Sequence, residues 1–207
     1  MNKDCRLYLI TPPKIDLEKF VDDLKQAFAA GDVAVLQLRL KDAPRDEIKK
    51  AAETLLPICR GYDVAFIIND DPELAKEVGA DGVHVGEEDV SVKEAREILG
   101  EGKIVGASCY ASKDRAFTAG EQGADYVAFG AFYETKTKEP KGRPDIDLLE
   151  FWHEYANIPC VAIGGIKPDN AAPLAKAGAD FIAVVTGVWD HAQGPAEAVK
   201  EYNKAIK

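Results

Sequence analysis

Along this chain, short apolar runs alternate with longer stretches in which apolar residues recur at helical spacing. The short runs predict strands near Leu7–Thr11, Val35–Arg39, Ala65–Asn69, Gly82–Val85, Ile104–Ser108, Tyr126–Gly130, Cys160–Gly164 and Phe181–Thr186. The longer stretches predict helices near Asp16–Ala30, Arg45–Arg60, Pro72–Val78, Val92–Leu99, Ser112–Gln122, Asp147–Ala156, Pro168–Ala177 and Ala196–Ala205. Several strand runs are apolar on consecutive residues, as expected for parallel strands covered on both faces. Eight βα units in 207 residues match one compact α/β fold, a (β/α)8 TIM barrel forming a single domain over residues 1–207. A doubly wound open sheet is the alternative, but the first βα turn carries no Gly-x-Gly-x-x-Gly. An internal echo favours the barrel. Gly79-Ala80-Asp81, Gly123-Ala124-Asp125 and Gly178-Ala179-Asp180 each close a helix and lead into a strand. Glycine there supplies the left-handed helix cap, and the recurrence before the fourth, sixth and eighth strands points to a repeated two-strand unit.

Composition narrows the function more than the fold. Hydrophobic residues make up 46% and charged residues 30%, ordinary for a globular protein. A net charge of -10 lacks the basic face that nucleic acid needs, yet leaves room for a local cationic site. No apolar run approaches the roughly 20 residues needed to span a bilayer, so no membrane partner is expected. Met1-Asn2-Lys3-Asp4-Cys5 passes directly into a strand pattern and is not expected to be a signal peptide. Cys5, Cys59, Cys109 and Cys160 contain no Cys-x-x-Cys pair; buried, reduced thiols of a cytoplasmic protein are the expectation. A homo-oligomer stays open.

In such a barrel, chemistry sits at the C-terminal ends of the strands. After the second strand, period-two alternation puts Gln37, Arg39 and Lys41 on one face. A guanidinium and an ammonium there suit a diphosphate, the alternative being an internal salt bridge. After the third strand, Asp71 before Pro72 reads as a helix N-cap, which leaves Asn69 and Asp70 at the strand tip. After the fourth, Ser91 and Glu94 form a capping box, Glu87 and Glu88 are expected to be solvated or to stand behind the cation's own ligands, and Asp89 is left over. Neighbouring strands would let Asp70 and Asp89 converge. Two carboxylates completed by water and phosphate oxygens suit Mg2+, the alternative being solvated loop charge. Ser108 ends the fifth strand and offers a hydroxyl; Cys109 has no obvious histidine base and is not read as a nucleophile. The loop after the sixth strand holds Thr135, Lys136, Thr137 and Lys138, an anion site under a lid or a solvated loop. Gly164-Gly165-Ile166 and Val185-Thr186-Gly187 suit a phosphate held by backbone N–H groups. His84, His153 and His191 are too scattered for a triad, and His84 is expected to be a satisfied core residue with no role.

Together these motifs resemble the thiamine phosphate synthase family, over nearly the whole chain from Leu7-Tyr8-Leu9-Ile10-Thr11 to the loop after the eighth strand. The likeness rests on Gln37-x-Arg39-x-Lys41, on Asn69-Asp70, on the run from Gly79 to Asp89, on Thr135-x-Thr137-Lys138 and on Gly164-Gly165-Ile166. The resemblance implies a transferase that joins an aminopyrimidine diphosphate to a thiazole phosphate and releases pyrophosphate. Carried over, Asp70 and Asp89 would hold Mg2+. Gln37, Arg39, Lys41, Asn69, Ser108 and Lys138 would bind the pyrimidine diphosphate, with Arg39, Ser108 and Lys138 as catalytic residues. Thr135, Thr137, Gly165, Val185 and Thr186 would surround the thiazole phosphate. The implied mechanism is dissociative: diphosphate departs, and the thiazole nitrogen attacks a pyrimidine-stabilised cation. The chain departs from the family's usual pattern at Glu87 (usually Gln), at Ala131 and Glu134 (usually Pro) and at Tyr110 (commonly His). A thiazole tautomerase or other phosphate-binding barrel enzyme, or a non-catalytic thiamine phosphate-binding relative, are the competing readings; retention of Asp89 favours the synthase.

Overall fold

The computed structural model describes residues 4–135 and 142–207. Its elements run β1 (Arg6–Ile10), α1 (Leu17–Ala30), β2 (Val33–Leu38), α2 (Arg45–Gly61), β3 (Ala65–Asn69), α3 (Pro72–Val78), β4 (Gly82–Val85) and α4 (Val92–Leu99). They continue with β5 (Ile104–Tyr110), α5 (Lys113–Glu121), β6 (Tyr126–Phe129), α6 (Asp147–Tyr155), β7 (Cys160–Ile163), α7 (Pro168–Lys176), β8 (Phe181–Val184), α8 (Thr186–Trp189) and α9 (Pro195–Ile206). The strands close into a barrel in sequence order. All eight neighbouring pairs are parallel, and β8 returns to β1 through Leu7↔Ile182 and Tyr8↔Ala183. This closure excludes the open doubly wound sheet. No helix among the described residues is long and apolar enough to cross a membrane.

The consecutive apolar residues of each strand are divided between two layers. Leu7, Leu9, Leu36, Phe66 and Ile68 face outward and pack under the helices. Tyr8, Ile10, Tyr126, Ala128, Val161 and Ala183 face inward and fill the barrel. Inward positions grow polar toward the C-terminal ends, where Gln37 and His84 are among the few buried polar side chains.

The Gly-Ala-Asp echo has two jobs. Gly79, Gly123 and Gly178 take positive φ of 71°, 94° and 103°, the left-handed turn that releases each helix. The aspartates then reach sideways. Asp81 accepts the Phe66 N–H, Asp125 the Val105 N–H and Asp180 the Cys160 N–H, each at 2.8 Å. Each therefore secures the start of the preceding strand, so β3–β4, β5–β6 and β7–β8 are tied in pairs.

The predicted caps hold. Asp71 accepts the Leu74 N–H at 2.7 Å with Pro72 opening α3, and Ser91 and Glu94 close a capping box on α4. Differences lie at the C-terminal ends of strands. β2 stops at Leu38, one residue short of Arg39; β7 stops before Gly164, and β8 before Val185. Gly164 and Gly165 leave the strand with positive φ of 102° and 64°. The stretch expected to prolong β8 instead turns into the one-turn α8. β5 runs on to Tyr110 through a register shift between Ser108 and Tyr110.

Candidate active site

A cavity of about 900 Å³ opens at the C-terminal mouth of the barrel. Gln37, Arg39, Ser108, Thr135, Gly165, Val185 and Thr186, all expected at the site, line it. Lys41 and Asn69 do not, nor do Asp70 and Asp89. The first case corrects the alternation argument. Because β2 ends at Leu38, alternation no longer governs Lys41, which is exposed and donates its backbone N–H to the Pro13 carbonyl at 2.8 Å. Asn69 stands behind Gln37 and accepts its Nε2–H at 2.8 Å. Thr137 and Lys138, with Lys136, lie outside the described residues.

Arg39 is held at the cavity wall by a residue that carries no sequence motif. Buried Thr11 accepts the Arg39 N–H at 2.9 Å and donates its hydroxyl to the Arg39 carbonyl at 3.1 Å. The C-terminal side is braced from outside the barrel. Tyr202 of α9 donates to the Ile166 carbonyl at 2.8 Å, and Trp189 of α8 donates to the Ile10 carbonyl at 2.7 Å. Gly165 packs where a side chain would run into Tyr133 and the Glu134 carbonyl, so the loops after β6 and β7 touch through backbone.

The floor of the cavity is a chain of polar side chains from six strands. Ser108 Oγ lies 2.9 Å from His84 Nε2, and His84 Nδ1 lies 2.9 Å from the Tyr126 hydroxyl. That hydroxyl is 2.8 Å from Tyr8 Oη, which donates to Gln37 Oε1 at 3.3 Å. Gln37 passes the chain to Asn69. Burial raises the pKa of both phenols above the ordinary tyrosine range, so both keep their protons. His84 is thus buried and satisfied, as expected, yet it faces the cavity. Its Nδ1 meets the Tyr126 phenol, where a serine hydrolase's histidine meets a carboxylate, and the contact between Ser108 and His84 is read as a hydrogen bond of the floor.

Asp70 and Asp89, the residues expected to hold a cation, follow the neighbouring strands β3 and β4. Asp70 follows the last residue of β3 with φ of 66°, and its N–H is fixed on the His84 carbonyl of β4 at 2.8 Å. Asp89, in the loop after β4, uses Oδ2 to accept the Gly86 N–H at 2.7 Å. Among the described residues, no group of three or more His, Cys, Asp or Glu side chains gathers to hold a metal. A hard cation at these two carboxylates would therefore need oxygens from substrate and water, a donor set that fits Mg2+.

The family model described as thiamine monophosphate synthase matches residues 7–188. The chain belongs to the thiamine monophosphate synthase family. It is 54% identical to the thiamine-phosphate synthase of Rhodospirillum centenum over 204 residues, 99% of each chain. It is 52% identical to that of Hyphomonas neptunium over 203 residues, covering 96% of this chain and 92% of the relative. Its structure is similar to a thiamine phosphate pyrophosphorylase from Pyrococcus furiosus, with a TM-score of 0.84, 35% identity and coverage of 99% and 96%. Membership makes the chain a transferase acting on small phosphorylated molecules. A 3-hexulose-6-phosphate synthase at 20% identity and a TM-score of 0.68 shares only the fold.

Two of this member's departures from the usual family pattern are linked in space. Glu87 pairs with Arg115 at 2.6 Å, and the Arg115 guanidinium lies 5.6 Å from the centre of the Tyr110 ring. An acidic residue at 87 and a large aromatic at 110 thus share one arginine from α5, which explains how the extra charge is accommodated. Glu134 is exposed at the cavity rim and lies 3.9 Å from Arg143. Ala131 is buried against Gly164.

Proposed function

We propose that this chain condenses hydroxymethylpyrimidine diphosphate with thiazole phosphate to give thiamine phosphate and pyrophosphate, assisted by Mg2+ at Asp70 and Asp89. The observation that carries the reading is the cavity. At about 900 Å³ it lies at the upper end of small-ligand pockets and has room for two small partners side by side. One side presents Gln37, Arg39 and Ser108; the other presents Gly165, Val185 and Thr186.

The residues divide the work accordingly. Arg39, anchored by Thr11, meets the diphosphate and stabilises negative charge as it departs. Further cationic charge for the diphosphate is assigned to Lys41, which stands outside the cavity lining, and to Lys138, which lies outside the described residues. When bound, Mg2+ supplies further neutralisation of the leaving diphosphate. Gln37 and Ser108 orient the pyrimidine over the polar floor. The glycine-lined wall, with Thr135 and Thr186 at its edge, holds the thiazole phosphate so that its ring nitrogen faces the cation left on the pyrimidine. The Ser108 environment supports a dissociative route, which needs neither a protein nucleophile nor a strong base. Four buried cysteines without disulfides support a cytoplasmic setting.

The test is a direct assay of purified chain with both substrates and Mg2+, with the products separated by chromatography. Thiamine phosphate formed with Mg2+ and lost with EDTA is expected. A folded chain that turns over a single phosphorylated substrate indifferently to EDTA would overturn the reading in favour of a tautomerase-like enzyme. Tight binding of thiamine phosphate by calorimetry without turnover would overturn it in favour of a binding protein.

A further inference from the structure

The polar chain beneath the cavity has a direction, and the direction comes from counting protons. The Gln37 Nε2–H goes to Asn69, so its Oε1 faces Tyr8. Tyr8 has one proton and donates it to that oxygen. The Tyr8 oxygen can then only accept from its next neighbour, so Tyr126 donates across their 2.8 Å contact. With its own proton committed, the Tyr126 oxygen accepts from His84 Nδ1. A neutral ring carrying its proton on Nδ1 has a bare Nε2, which accepts the Ser108 hydroxyl proton at 2.9 Å.

We propose that Tyr8 and Tyr126 are positioning residues for Ser108, acting through His84: they hold the imidazole as its Nδ1–H tautomer, so that Ser108 turns its proton inward and presents an acceptor oxygen to the cavity. This inference rests on the proposed synthase reading and deepens it. A serine oxygen so oriented cannot donate to a phosphate. It meets a donor instead, and the partner it suits is the exocyclic amine of an aminopyrimidine. Recognition of the pyrimidine ring would then lie at the floor and that of its diphosphate at Arg39.

The packing shows that the arrangement is built. Tyr126 points into the barrel from β6, and the facing position on β5 is Gly106, where any side chain would take the space of the Tyr126 ring. The ring stacks on His84 with centroids 5.6 Å apart and meets Tyr8 edge-on at 5.9 Å. Both phenols are buried, so a proton without an acceptor there is costly and the chain reorients before leaving one. Two other arrangements fit the same contacts: in one, both amides flip, every hydroxyl turns and His84 carries its proton on Nε2; in the other, a cationic ring donates from both nitrogens. Ser108 becomes a donor to the cavity in either, so a proton on His84 Nε2 is the single observable that separates both from the proposed arrangement.

The experiment uses the full chain labelled with 15N and long-range proton–nitrogen spectra of its three histidines. His84 is assigned as the ring remaining in a His153→Gln, His191→Gln chain. The wild type should show protonated Nδ1 and bare Nε2. Tyr8→Phe removes the acceptor of the Tyr126 proton, which should swing to His84 Nδ1 and move the ring proton to Nε2. Tyr126→Phe, a second probe, should leave the ring exchanging between tautomers. A wild-type ring protonated on Nε2, or a tautomer unmoved in the folded variants, overturns the proposal. In steady-state assays, Tyr8→Phe should raise KM for the pyrimidine diphosphate about tenfold, a lost charge-free hydrogen bond in a buried site. KM for thiazole phosphate and kcat should stay within about twofold. Equal changes in both KM values, or none, refute the positioning role even where the spectra shift. If the chain proves not to be a synthase, the spectra still decide the relay, because they need no substrate.

Discussion

Replacing Asp89 separates its structural bond from its proposed role at the cation. Asp89 Oδ2 accepts the Gly86 N–H at 2.7 Å, and the residue is half-buried in the loop after β4. An N–H bonded to a carboxylate contributes about 1.5–3 kcal/mol, and partial exposure puts this one near the lower end. Asp89→Ala should therefore cost about 1–2 kcal/mol, or about 2–8 °C in Tm for a chain of this size. Asp89→Asn keeps a carbonyl oxygen for the Gly86 N–H and should melt within about 2 °C of wild type. Both variants lose the charge that would bind the cation. A metal ion stabilises such a transition state by several kcal/mol, and each ~1.4 kcal/mol is tenfold, so kcat/KM should fall at least about 100-fold in each. The assay pairs thermal melts with initial rates over a series of Mg2+ concentrations, in which half-maximal activity should need more metal in Asp89→Asn. An Asp89→Asn chain with wild-type rate and unchanged Mg2+ response would refute the metal assignment. Equal melting losses in the two variants would refute the account of the Gly86 bond.

Gly165→Ala should displace the Tyr133–Glu134 backbone, because its Cβ would come to 2.9 Å from Tyr133 Cβ and closer still to the Glu134 carbonyl, at a φ of 64°; about 1–3 kcal/mol of stability and a raised KM for thiazole phosphate are expected, and wild-type kinetics would count against this wall as the phosphate site. Alkaline stability offers a second check: burial pushes the thiols of Cys5, Cys59, Cys109 and Cys160 up to about 12. Folding keeps protons that unfolded thiols release above about 9, so the stabilisation is complete below that pH and is lost as pH rises toward 12. Urea midpoints should decline across that window, and a flat profile would contradict the buried thiols. Asp71→Ala removes the cap on Leu74 N–H and the 3.1 Å pairing with Arg45, and should lower Tm by about 2–4 °C without changing KM; a larger KM effect would place Asp71 at the site.

Much of the site could be read along the chain because its residues stand at fixed offsets from strand ends. Arg39 two residues beyond Gln37, and Gly165 just past an apolar run, are local facts. Lys41 shows the limit of that logic, since alternation predicts its face only while the strand continues, and β2 has already ended at Leu38. His84 shows another. Its burial was legible from its position within a strand, but its partners Tyr126 and Ser108 lie 42 and 24 residues away. Thr11 carries no motif at all, and its grip on Arg39 exists because β1 and β2 are neighbours.

The alternation of apolar runs, helix caps and Gly-Ala-Asp turns is enough to specify eight βα units and the end of the barrel where chemistry belongs. These are short-range properties: the caps act within one helical turn, and the period of the apolar pattern matches the backbone geometry. Tertiary structure alone decided what the inward side chains meet. Closing the sheet places strands one to six around a common axis, so that Asn69, Gln37, Tyr8, Tyr126, His84 and Ser108 fall into one hydrogen-bonded series. It also set the second use of Asp81, Asp125 and Asp180, whose carboxylates reach N–H groups 15 to 20 residues earlier. Sequence offsets cannot encode such contacts, because they depend on the register between strands, and register exists only once the barrel has closed.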